Sequence, residues 1–74
     1  MKEAGQRLIV NRIKSIYEPG YQFTVRQAIG DLMDTGFKWT PTYQCIKHIF
    51  LLHKNEIRVS AEDPGRVFLY EVVA

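Results

Sequence analysis

From Glu3 to Tyr17 the apolar residues Leu8, Ile9, Ile13 and Ile16 return at helical spacing, while Arg7, Asn11 and Lys14 gather on the opposite side. A turn takes 3.6 residues, so one such stripe predicts an amphipathic helix with a single face toward a core. Glu18-Pro19-Gly20 ends it, since proline has no N–H to continue the ladder. Tyr21-Gln22-Phe23 is short, aromatic and partly alternating, which fits a brief strand added to a sheet formed elsewhere. Thr24-Val25-Arg26-Gln27 reads as a capping box, with the Thr24 hydroxyl accepting from a backbone N–H one turn in and Gln27 reaching back to the cap. The second helix then runs to about Thr35. Val25, Ala28, Ile29, Leu32 and Met33 make its stripe, and Gly36 stands where a left-handed residue would stop it. Gly30 inside it costs up to about 1 kcal/mol relative to alanine; a neighbouring backbone approaching closely would account for it.

A third helix is expected from Thr40 as N-cap and Pro41 at the first helical position to near Lys54-Asn55. Cys45, Ile46, Ile49 and Leu52 form its inward side. Thr40, Gln44, Lys47, Leu51 and Lys54 then point outward, flanked by Tyr43 and His48. Beyond Asn55 the period changes to two. Ile57, Val59 and Ala61 precede the turn residues Asp63-Pro64-Gly65, and Phe68, Tyr70 and Val72 alternate with Val67, Leu69 and Val73. Two strands of a hairpin follow from that pattern. The expected class is α+β, a single domain over residues 1–74.

Composition narrows the picture rather than redrawing it. An apolar fraction of 46% with 24% charged residues is that of a folded globular chain. Ten Lys and Arg against eight Asp and Glu leave a net charge of +2, a weak pull toward an anionic partner. No stretch approaches the roughly 20 apolar residues of a membrane span, and the N-terminus lacks the apolar core of a signal peptide. A cytoplasmic protein is expected, in a host cytoplasm if the chain is viral. The one cysteine, Cys45, lies on an inward face and reads as a small buried hydrophobe. His48 and His53 are not spaced as an i, i+4 metal pair, and Cys45 with His48 supplies only two ligands, so neither metal nor cofactor is implied. Asp31 and Asp34 are the nearest approach to a carboxylate pair. Without a placed histidine or a pocket they read as solvated charges, and no enzyme is expected.

The order helix, short strand, helix, tight turn, helix, hairpin, carried by FTVRQAIGDLMDTGFKWTPTYQCIKHIFLLHKNEIRV, resembles the winged helix-turn-helix superfamily over nearly the whole chain. Small archaeal, viral and phage regulators look like this. The resemblance implies an α+β winged-helix fold in which Ala28, Ile29 and Leu32 pack against Ile46, Ile49 and Leu52. Trp39, between two helices, could donate its indole N–H to a phosphate, but half-buried packing is the more usual place for such a tryptophan and is expected here. The resemblance also implies sequence-specific binding of double-stranded DNA by a transcriptional regulator, with the third helix (about 41–54) in the major groove and the 62–66 hairpin tip as wing. Thr24, Arg26 and Lys38 stand where such domains contact the DNA backbone, and Arg66 would reach out from the wing.

The outward residues of the third helix suit that task. Gln44 can pair bidentately with adenine, Lys47 can reach guanine or phosphate, and the hydroxyls of Thr42 and Tyr43 can hold phosphates, with His48 beside them. One such module covers only a few base pairs. A homodimer is therefore expected, through Val10 and Tyr17 at the edge of the first stripe or Val67, Leu69 and Val73 on the last strand. No small-molecule ligand is expected. The alternative is a protein-interaction module of the same fold, docking through Leu51, Tyr43 and a wing that Glu62 and Asp63 bring close to neutral.

Overall fold

The computed structural model describes residues 2–38, 40–62, 65 and 67–74. Three helices, α1 (Glu3–Ile16), α2 (Val25–Asp34) and α3 (Tyr43–Leu52), are followed by an antiparallel hairpin of β1 (Ile57–Glu62) and β2 (Phe68–Val72). This is an α+β layout consistent with a winged-helix topology. The aromatic segment ahead of α2 joins the hairpin as expected. Phe23 and Tyr70 exchange backbone hydrogen bonds, the Phe23 N–H donating at 2.9 Å and the Tyr70 N–H at 2.7 Å. Asp63, Pro64 and Arg66 of the expected hairpin tip, and Trp39 with its expected packing, lie outside the described residues.

All three helices and the hairpin share one core. Ile9, Val10, Ile13 and Tyr17 meet Val25, Ala28 and Leu32, then Ile46, Ile49 and Phe50, with Phe23, Ile57, Tyr70 and Val72 closing it. An aromatic row runs through it: Tyr17 stacks on Phe23 at 4.1 Å, Phe23 meets Phe50 edge-on at 6.0 Å, and Phe50 lies 4.8 Å from Tyr70. The row rotates two helices relative to their expected faces. On α1, Val10 and Tyr17 are buried and Leu8 is exposed, so the first two do not supply a dimer surface. On α3, Phe50 faces inward with Ile46 and Ile49, Cys45 is only partly buried, and Leu52 is exposed instead of packed.

The start of α3 also differs from expectation. Thr42 caps it, its hydroxyl accepting from the Cys45 N–H at 3.1 Å with extended backbone angles of −78° and 159°. Thr40-Pro41-Thr42 offers two cap candidates, and burial decides between them. Pro41 is buried, and with Thr42 as cap it takes the position before the cap while the buried Ile46 takes the fourth helical position, where an apolar pair fixes the entry of the chain. Thr42→Ala is expected to lower stability by about 1 kcal/mol, and Thr40→Ala by much less. Thermal melting of the two variants side by side checks the assignment.

Two glycines behave differently. Gly36 takes a φ of +90° just past α2, the conformation expected of it. At Gly30 a Cβ would meet nothing within 4 Å, so the close approach expected there is absent and only the helix penalty remains. Gly30→Ala is accordingly expected to raise stability by up to about 1 kcal/mol, read as a higher melting midpoint. In the hairpin, the register shifts between Val59 and Ala61. The Ser60 hydroxyl there accepts from the Gln22 amide at 2.9 Å. Ile57 and Val59 share a face ahead of this bulge; Ile57 is buried in the core, while Val59, two residues farther along the strand, is 51% exposed.

Candidate nucleic-acid interface

With Ile46, Ile49 and Phe50 turned inward, the exposed residues Gln44, His48 and Leu51 of α3 fall within about 60° of one another at 3.6 residues per turn. His48 thus stands in the outward strip rather than on its flank. Lys47 leans toward the hairpin, its Nζ 5.8 Å from the Phe68 ring centre. At the other end of α3 the exposed Tyr43 ring lies 6.0 Å from the Arg26 guanidinium. That contact sets the first turn of α2 beside the first turn of α3.

Both of those first turns are capped by threonines. Thr24 accepts from the Gln27 N–H at 3.1 Å, as expected, but the Gln27 side chain donates to the Tyr21 hydroxyl at 3.3 Å instead of reaching back. The Thr24 and Thr42 oxygens are engaged as acceptors in their caps, which leaves each hydroxyl hydrogen able to donate to an outside oxygen. Lys38 is exposed in the segment between α2 and α3. The structure thus brings Thr24, Arg26, Thr42, Tyr43, Gln44, Lys47 and His48 onto adjoining parts of α2 and α3, and Arg66 is outside the described residues.

A groove of about 710 Å³ separates the outward side of α3 from the hairpin. Gln44, Lys47, His48, Leu51 and Lys54 form one wall, Arg58, Val59 and Phe68 the other, over a floor that includes Phe50, Ile57 and Tyr70. None of its lining residues among those described is acidic. The hairpin wall was not legible beforehand. Its one available signal was Phe50, whose inclusion on the inward side turns Lys47 toward β2.

Ion pairing occupies two cations of α1 and one of the hairpin. Glu56 collects Arg7 at 2.8 Å and Lys14 at 3.2 Å from α1, with the His53 Nδ1 at 3.7 Å, and the His53 Nε2 lies 3.3 Å from the Gln6 amide oxygen. Arg58 is held by Glu71 at 2.7 Å. Among the described residues, Arg26, Lys38, Lys47 and Lys54 form no ion pair with a carboxylate. The hydrogen bonds from Arg7, helped by Lys14 and opposed by partial burial, hold the Glu56 carboxyl at about 2, below its ordinary 4.5. A carboxyl whose value is depressed on folding stabilises above its unfolded value and loses that stabilisation as the pH falls through the folded one. The clamp is therefore complete above about pH 4.5 and lost toward pH 2. Glu56→Gln is expected to cost about 1 kcal/mol at neutral pH and to flatten the fall of the melting midpoint across that acid window.

Three acidic residues gather elsewhere. Glu18, Asp31 and Asp34 line a separate hollow with Tyr17 and Tyr21. Asp31 is not a plain solvated charge there, because it accepts the hydrogen bond of the buried Tyr17 hydroxyl. Burial first, and then that bond, push the Tyr17 phenol well above its usual range. Among the described residues no three His, Cys, Asp or Glu side chains are grouped to hold a metal ion, and no helix is long and apolar enough to cross a membrane. No family model, curated protein or solved structure matches the chain.

Proposed function

We propose that this chain binds double-stranded DNA sequence-specifically and serves as a transcriptional regulator, with α3 in the major groove and the hairpin as wing. One observation carries the reading. The α3 face and its groove hold hydrogen-bonding and cationic side chains with no carboxylate among the described lining residues, while Glu56 and Glu71 bind cations elsewhere or at the groove's edge. Gln44 and His48 read base edges, and Lys47 reaches a guanine or a phosphate. Arg26, Lys38, Thr24, Thr42 and Tyr43 hold the backbone. No catalytic step belongs to this reading.

A few base pairs give one module little specificity, so a second copy is part of the proposal. With Val10 and Tyr17 committed to the core, the exposed Val67, with Leu69 and Val73 of the same strand segment, and Leu8 of α1 are the apolar residues left for it. The test is selection of bound sequences from a random duplex pool at physiological salt. A recovered palindrome is expected, and a pool that shows no enrichment contradicts the proposal. A second reading, docking on a protein, is favoured by the 69% exposure of Leu51 beside an apolar groove floor. It predicts that Leu51→Ala loses a partner protein while Arg26→Ala and Lys47→Ala leave duplex binding as in the wild type.

A further inference from the structure

Leu51 has the greatest exposure of any large hydrophobic side chain among the described residues, at 69%. A lone exposed leucine is ordinary; this one shares its groove wall with Lys47 one turn before it and Lys54 just past the end of α3, and half-exposed Val59 lies in the facing wall, with no carboxylate among the described lining residues. What meets it must offer negative charge around an apolar group. Among the base edges of the duplex major groove that apolar group is the C5-methyl of thymine. We infer that Leu51 is a specificity-determining residue that contacts a thymine methyl. This inference rests on the duplex-binding reading and adds a base to it. Gln44 and Leu51 are seven residues apart on one strip, about 10 Å along the helix axis. That spans about three base-pair steps of 3.4 Å each. The adenine paired by Gln44 and the thymine touched by Leu51 are accordingly at most about three base pairs apart in the site, fewer the more α3 is inclined to the duplex axis.

The experiment uses the duplex recovered from the random pool, remade with deoxyuridine in place of each thymine in turn, so that only one methyl group is removed at a time. Wild-type affinity is expected to fall about fourfold at one position, the effect of one buried methyl-sized group. Leu51→Ala is expected to bind the thymine and deoxyuridine versions equally, and Leu51→Met to keep the difference. Because Leu51 is exposed, both variants are expected to melt with the wild type. If the wild type binds its site with salt-dependent affinity but no single methyl matters, or if the recovered site has no thymine, the inference is overturned and duplex binding stands. Undiminished methyl sensitivity in Leu51→Ala overturns it as well, placing the contact on another residue. If no duplex is recovered, both readings fall together.

Discussion

Phe50→Ala is expected to cost about 3–5 kcal/mol, enough to leave much of the protein unfolded at physiological temperature. A chain of this length has a total stability of only about 4–11 kcal/mol. Phe50 is 1% exposed and joins the Phe23 and Tyr70 rings, so truncating it opens a cavity where the three helices and the hairpin meet. Leu52, 54% exposed two positions later, should tolerate alanine within about 0.5 kcal/mol. Denaturant unfolding followed by circular dichroism compares them. A small loss at Phe50 with a large one at Leu52 would put the inward side of α3 back where the spacing of Cys45, Ile46, Ile49 and Leu52 placed it, and would displace the strip formed by Gln44, His48 and Leu51.

On the proposed function, Gln44→Ala is expected to relax preference at one base pair by about 1–3 kcal/mol, because it would remove a bidentate pairing that only adenine satisfies. Affinity for a scrambled duplex should barely change. Arg26→Ala should do the opposite, weakening all sequences alike, since a phosphate contact carries no base identity. Titrations of both variants on a selected site and a scrambled one separate the two effects. If Gln44→Ala weakens both duplexes equally, Gln44 holds backbone rather than reading a base.

The elements themselves were legible because their signals are local. Apolar spacing placed α1 and α2 nearly to the residue, Thr24 and Gly36 marked the ends of α2, and the change to a period of two marked the hairpin. What was not legible depends on partners far along the chain. The inward side of α3 is set by Phe50 meeting Phe23 and Tyr70, and nothing within one helical turn announces those neighbours. Thr40 and Thr42 are equally good caps in isolation; the burial of Pro41 selects the second. Glu56 reaches Arg7 across 49 residues and Lys14 across 42. Counting charges therefore gave the net +2 but not which cations are already occupied. At the candidate interface, the α2 and α3 residues could be named from helical spacing. The Arg58, Val59 and Phe68 wall could not, because it depends on how the hairpin packs beside α3, which no local spacing announces.

On the proposed function, the α3 and hairpin face binds the polyanionic duplex. The direct measurement is the affinity of the wild type and of Lys47→Ala for a selected duplex at several salt concentrations. Log affinity is expected to fall linearly with log salt for both proteins, with the slope shallower by about 0.9 in Lys47→Ala if its ammonium holds a phosphate, as the loss of one contact requires. Wild-type binding that is absent, or that does not weaken as salt rises, would contradict that function.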